Sequence, residues 1–288
     1  MADMSLKKKR AVSVHARRVI AYIVLILLSF LCLFWFYVLF INATRSNGEL
    51  AKCFTAIPST HLLKNLNNVL FHGAQDPIRG MINSFIIAGL SAVLSTYFST
   101  MTAYAIHAYR FKGRKAIYTF ILAVMMIPTQ VTALGFIKWM TKLNLMNSFV
   151  PLIAPTIAAP VTFFYMKQYM DSVLSPSLIE AARIDGAGEF RTFNIIALPL
   201  MKPAIAVQMV FTFVSSWNNY FTPALILKDK AKKTLPILLA ELRGADFMKF
   251  DMGQVYAMIA FSIFPVIIVY LFLSRYIVGG VTAGGVKE

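Results

Sequence analysis

Apolar and polar positions along this chain come in long blocks rather than at a short period. Val19 to Ile41 is 23 residues without a charge, enough for one crossing of a hydrocarbon core, which takes roughly 20 residues as a helix. Further apolar blocks at about 81–105, 116–137, 149–170, 204–227 and 255–276 predict helices of the same kind, six in all. Their cores carry no Asp, Glu, Lys or Arg when Lys167 and Arg275 are counted with the adjoining polar stretches. Lys7, Lys8, Lys9, Arg10, Arg17 and Arg18 precede the first block. No small-residue cleavage site follows it, so it reads as an uncleaved anchor with a cytoplasmic N-terminus rather than a signal peptide.

This pattern divides the chain into a cytoplasmic tail at 1–18, one transmembrane domain at 19–276 and a cytoplasmic tail at 277–288. With that topology the inner parts (1–18, 106–115, 171–203 and the C-terminal tail) hold 16 Lys and Arg, and the outer parts (42–80, 138–148 and 228–254) hold 12. The bias agrees with the positive-inside rule. Arg110, Lys112, Arg114 and Lys115 are its clearest inside signal. Lys228, Lys230, Lys232 and Lys233 run against it. Asn47-Gly48 and Asp76-Pro77 mark turns in the first outer loop.

The polar stretch between the fourth and fifth blocks is too charged for hydrocarbon and too regular for a plain loop. Glu180 to Pro203 carries Glu180, Arg183, Asp185, Glu189, Arg191 and Lys202 and must lie at a membrane surface. Ser175 suits an N-cap and Pro176 the first helical position, which predicts a short helix over Ser177–Asp185. Gly186 follows its end, where a left-handed residue is expected. Ile179, Ala182 and Ile184 would form its apolar side, leaving Glu180, Arg183 and Asp185 for polar contact. Pro199 and Pro203 would break the pattern before the next crossing. On these residues alone the helix could be an ordinary interfacial amphipathic one.

Glu180-Ala181-Ala182, then Gly186, then Ile196-x-Leu198-Pro199 resembles the EAA loop of bacterial ABC importer permeases. Asp185-Gly186-Ala187, Phe193 and Pro203 resemble the carbohydrate-uptake branch, to which the smaller maltose permease subunit belongs. The resemblance implies an all-α integral membrane fold of six transmembrane helices with a cytoplasmic coupling helix. Glu180, Ala181, Ala182, Asp185, Gly186 and Ala187 would then dock on a separate ATPase, whose closure around ATP rocks the membrane helices between inward-facing and outward-facing states. It further implies a second permease subunit, two ABC ATPase subunits carrying ATP and Mg, an extracytoplasmic solute-binding protein and the bacterial inner membrane. Val278 to Glu288, with Gly285-Val286-Lys287, resembles the Gly-rich tail that reaches the ATPase interface in this family. Pro128-Thr129-Gln130-Val131 also looks like the family, although Gly135 stands where a proline is often found.

The fifth block carries the densest polar and aromatic group at membrane depth. Gln208, Thr212, Ser216, Trp217, Asn218, Asn219 and Tyr220 could line a substrate pathway, since amides and flat aromatic faces suit a sugar. Helix–helix glue and an interfacial aromatic belt are the alternatives to this preferred reading. Pro128, Pro151, Pro155 and Pro160 predict kinks in the third and fourth blocks. Ser91, Ser95, Ser99 and Thr102 read as small residues for close packing.

Composition removes other classes. Hydrophobic residues make up 58% and charged residues 14%, against about 25% charged in soluble domains; mean hydropathy is +0.68. Cys32 and Cys53 imply no disulfide framework. His15, His61, His72 and His107 lack metal-ligand spacing. Neither a nucleophile–base set nor a phosphate-binding loop is present: Gly279 to Gly285 has Gly285 where lysine is required. No catalysis, metal or cofactor is expected on this chain. The net charge of +16 follows from membrane topology and anionic lipid, without nucleic acid. The outer excess would suit an acidic partner or an anionic sugar. An ABC permease for another solute, an ATP-independent transporter and a membrane scaffold remain as alternatives.

Overall fold

The computed structural model describes residues 2–73, 75–244 and 251–284. Among them the chain is helical and contains no strand. The helices are α1 (Ala2–Ala43), α2 (Asn47–Lys52), α3 (Leu62–Asn67), α4 (Pro77–Ala108), α5 (Arg114–Val124), α6 (Thr129–Lys142) and α7 (Val150–Ile153). Then come α8 (Pro160–Val173), α9 (Pro176–Ile184), α10 (Glu189–Leu200), α11 (Lys202–Trp217), α12 (Phe221–Ile226), α13 (Leu235–Arg243) and α14 (Met252–Gly284). Four helical stretches are long and apolar enough to cross a membrane, and six are if each of two bent pairs counts as one. A count of six is consistent with the expectation, but the second bent pair, 189–200 with 202–217, begins within the expected surface stretch and ends ten residues before the expected fifth block at 204–227 does.

Both breaks have a local cause. In the third block α5 and α6 meet at 97°. Pro128 has no N–H to give and disfavours helix in the residue before it, so Met125, Met126 and Ile127 fall back on bonds to carbonyls three residues earlier. In the fourth block Pro155 sits in a 3-10 turn at Ala154–Ile157 and Pro160 opens α8. Before the fifth block α10 and α11 meet at 79°. Here the expectation for Pro199 needs correction. The helix runs through Pro199 because Phe193–Ala197 is wound as a π-helix, which frees the register that proline cannot satisfy. The bend falls at Met201, before Pro203.

The chain forms two units. One comprises residues 1–72 and 247–261. Its hydrogen bonds converge on Asn65, whose amide donates to the carbonyls of Ala43 (3.0 Å) and Arg45 (2.8 Å). A side chain at Gly253 would collide with the Arg45 carbonyl at 2.5 Å, so the start of α14 approaches that backbone as closely as glycine allows. Ser46 and Glu49 form a reciprocal cap on α2. The Ser46 backbone N–H and then the Ser59 hydroxyl hold the Glu49 carboxyl below its usual range.

The other unit comprises residues 73–246 and 262–288, and α8 and α11 pack on α4 at its centre. The contact is made by small residues: Ser91, Ser95 and Ser99 are at most 1% exposed. Ser95 Oγ donates to Thr162 Oγ1 at 3.2 Å and Ser99 Oγ to the Ala159 carbonyl at 3.4 Å. Without water, close backbone approach and interhelical hydrogen bonds replace the hydrophobic drive. Thr102 departs from its expectation. It faces outward and its hydroxyl bonds Phe98 of its own helix.

The lysine run at 228–233 is partly absorbed by the fold. Lys232 Nζ donates to the Asn147 carbonyl at 2.7 Å, and Lys233 pairs with Glu241. Asn147 has φ +56°, and its side-chain oxygen accepts from the backbone N–H groups of Lys228 and Asp229, both at 3.1 Å. Lys228 and Lys230 remain exposed. The α14 backbone is helical to Gly284. Residues 285–288, which complete the expected tail motif, and 245–250 of the last expected outer loop lie outside the described residues.

Candidate functional site

Helix α9 occupies nearly the predicted segment. Ser175 has the extended backbone of an N-cap, but its hydroxyl pairs with Ser177 Oγ at 3.0 Å instead of capping an N–H. At the other end Asp185 N–H donates to the Ala181 carbonyl and Ala187 N–H to the Ala182 carbonyl. Gly186 has φ +78° and supplies the left-handed turn such an ending needs.

Two of the three predicted apolar positions point inward. Ile179 (3% exposed) and Ala182 (5%) are buried, and Ile179 joins a core with Met170, Leu174 and Phe193. Ile184 does not share that face and is 86% exposed. Five residues on an α-helix turn through about 140°, which carries Ile184 away from Ile179. The outer side of α9 therefore presents Glu180, Ala181, Ile184, Asp185 and Gly186, all exposed. Phe190 is exposed beyond them at 69%. Of the six predicted coupling residues, Ala182 anchors the helix, Ala187 is half-buried, and the remaining four lie on the exposed surface.

What locks α9 in place was not legible as a motif. Arg183 Nε donates to Glu189 Oε1 at 2.7 Å, bridging the turn between α9 and α10. The Arg183 guanidinium stacks on the Tyr109 ring at 5.5 Å, and Tyr104 Oη donates to Glu189 Oε2 at 3.2 Å. The hydrogen bond from Arg183, outweighing partial burial, lowers the Glu189 pKa. Burial and then Glu189 raise that of Tyr109. A second lock lies just before α9. His107 is 2.7 Å from Asp171 Oδ1 through Nδ1 and 2.9 Å from the Leu174 carbonyl through Nε2. Lys167 Nζ donates to Asp171 at 2.5 Å. Lys167 thus lies inside helix α8 and is buried, with its charge paired four residues on. In sequence only the Lys-x-x-x-Asp spacing hinted at this.

The seven pathway candidates do not gather on one surface. Gln208 (5% exposed) and Trp217 (3%) are buried, and the Trp217 ring stacks on Phe213 at 5.6 Å between centroids. A face used this way is unavailable to a sugar. Thr212 and Ser216 are half-buried on α11, while Asn218 and Tyr220 are exposed in the break before α12. Asn219 Oδ1 accepts from the Thr222 N–H at 3.3 Å, holding the first turn of α12.

Residues 96–282 match the family model described as binding-protein-dependent transport system inner membrane component. The chain belongs to this family. Its permeases include the arabinooligosaccharides transport system permease protein AraQ of Bacillus subtilis (strain 168), 35% identical over 266 residues that cover 91% of this chain and 92% of that one. The sn-glycerol-3-phosphate transport system permease protein UgpE of Yersinia pestis bv. Antiqua (strain Antiqua) is 32% identical, covering 91% and 95%. Among solved structures, a chain of a bacterial ABC transporter involved in import of the acidic polysaccharide alginate superposes with a TM-score of 0.77 at 24% identity. That superposition covers 90% of this chain and 95% of the other. At this identity the likeness speaks for the fold. Membership makes the chain a transport permease without enzymatic chemistry of its own, and removes the ATP-independent transporter and scaffold readings.

Proposed function

We propose that this permease is one of two membrane subunits of an ATP-driven importer for oligosaccharides. The observation that carries the reading is α9: a short helix tied by Ile179, Ala182 and the Arg183–Glu189 pair to the helix bundle, with Glu180, Ala181, Asp185 and Gly186 left exposed. Such a helix can transmit a push because it is rigid toward the bundle and open toward a partner. Two separate ATPase subunits, holding ATP and Mg, take this helix in a groove, and their closure rocks α4, α8 and α11 between the two access states. The N- and C-termini and α9 face the cytoplasm, and an extracytoplasmic solute-binding protein delivers the solute to residues 42–80 and 228–254. Thr212, Ser216, Asn218 and Tyr220 line this subunit's half of the pathway. Gln208, Trp217 and Asn219 shape it from behind, by burial, stacking and capping.

The likeness to AraQ, named for arabinooligosaccharides, supports an oligosaccharide. The likeness to UgpE supports a second reading, a small phosphorylated solute. Affinity purification from native membranes, followed by ATP hydrolysis and uptake assays in proteoliposomes, tests both. Co-purification of an ATPase and a second permease, with hydrolysis stimulated by binding protein loaded with oligosaccharide, is the expected result. Stimulation by glycerol phosphate alone would transfer the reading to the second solute. A chain that purifies alone and folded, with no associated ATPase, would overturn both.

A further inference from the structure

We propose that this permease holds one anionic phospholipid in a two-part cleft formed by α4, α5 and α8, on the side of the membrane where α9 lies. The headgroup part is a cavity of about 610 Å³ whose walls include Arg114, Lys115, Tyr118, Thr119, Lys167 and Asp171. Lys167 is nine-tenths buried and Asp171 is already engaged by Lys167 and His107. One carboxylate therefore stands against three cations. Arg110 and Lys112 continue the basic surface on the open loop that leads into Arg114 and Lys115. None of Arg110, Lys112, Arg114 and Lys115 has an acidic partner among the described residues. A cluster of unpaired cations around a buried lysine fits a phosphate diester, with the Tyr118 and Thr119 hydroxyls available to its remaining oxygens.

The second part decides what carries that phosphate. The same three helices line an apolar cavity of about 380 Å³, with Phe98 and Thr102 from α4, Phe120, Ile121 and Val124 from α5, and Phe163 from α8. Along α4 it lies up to two turns before Ile106, which lines the basic cavity. Along α5 it begins one residue after Thr119, and along α8 one turn before Lys167. All three displacements run in the same direction, toward the middle of the apolar blocks, over about 10 Å at ~1.5 Å per residue. A cationic head cavity stacked above an apolar cleft matches a lipid and not a soluble phosphate, and basic pockets between membrane helices are suited to anionic headgroups. Asp171 belongs to both the headgroup wall and the His107–Leu174 lock that precedes α9, so the lipid steadies the stem of the coupling helix.

The lipid site rests on membrane embedding alone and is independent of which solute is carried; its effect on α9 rests on the coupling role proposed above. The test is native mass spectrometry of the intact importer taken from nanodiscs of phosphatidylcholine with a minor share of phosphatidylglycerol. The expected result is one retained phosphatidylglycerol per copy of this chain. Retention should fall about tenfold or more in the Arg114→Gln/Lys115→Gln variant, and it should be unchanged in Lys142→Ala, an exposed lysine on α6. Ile121→Trp, which fills the apolar part and leaves the cations intact, should also lose the lipid. Displacement of phosphatidylglycerol by inorganic phosphate would overturn the lipid in favour of a soluble anion. Unchanged retention in both cleft variants would overturn the site. So would loss of ATPase subunits in the Arg114→Gln/Lys115→Gln variant with lipid retention intact, because the basic face would then be a protein contact.

Discussion

Gly186 is the residue on which the shape of the coupling segment turns. Its φ of +78° costs a residue with a Cβ about 1–2 kcal/mol, and more when that residue is β-branched. Nothing lies within 4 Å of a side chain built there, so the penalty is backbone strain without a clash. Gly186→Val should therefore insert and assemble but transmit poorly: ATP hydrolysis persists while uptake falls, measured together in proteoliposomes. Normal uptake would remove α9 from the coupling role. Arg183 and Glu189 make a different prediction. The Glu189 carboxyl is held below its ordinary value, so its contribution to stability is complete above the unfolded carboxylate range, about 4.3. It is lost as pH falls through the lower folded value. The melting difference between the wild-type chain and Glu189→Gln should be constant near neutrality and vanish in acid. A difference that grows on acidification would contradict the pairing.

At the scale of elements, α9 is held by one large buried side chain. Ile179→Ala leaves a cavity beneath it and should cost about 2–4 kcal/mol, read as faster hydrogen exchange confined to residues 176–187. Exchange spreading through α4 and α8 would mean that α9 is not an independent lever. In α11, burial separates packing from pathway. Trp217→Ala removes a ring stacked on Phe213 and should lower stability by about 3 kcal/mol, the low end of the aromatic range because lipid rather than water is the reference. Asn218→Ala, at an exposed position, should leave assembly intact and slow uptake about two- to tenfold, as for one lost hydrogen bond. If Asn218→Ala transports normally, the break after α11 is no part of the pathway.

At the scale of the molecule, one chain supplies one α9 and an incomplete wall. Its exposed apolar surface at α1 and along α5 and α6 is what lipid and a partner permease would cover. In the proposed importer the exposed Asn218 and Tyr220 need water or another chain beside them, since amides in hydrocarbon are costly. The intact importer should thus melt as a unit. If a second permease completes the pathway as proposed, removing it should expose Asn218 and Tyr220 to labelling by polar reagents; protection of both in the lone chain would speak against a shared pathway.

The sequence by itself determined the helical class, the long apolar blocks, the place of the short helix α9 and its glycine ending. Each of these is set by local composition: a block without charges has one low-energy state in a bilayer, and Pro176 and Gly186 constrain their own backbones. Tertiary structure decided which sides those helices turn. Ile184 looked equivalent to Ile179 and Trp217 equivalent to Tyr220 until packing gave each a face. Pro199 looked like a break until the π-helical turn at Phe193–Ala197 moved the bend to Met201. The Arg183–Glu189–Tyr104 lock and the Lys167–Asp171–His107 lock join residues up to 85 positions apart. Apart from the Lys167–Asp171 spacing of four, no period or motif encodes such pairs, because they exist only where the packing of α4, α8, α9 and α10 brings their ends together.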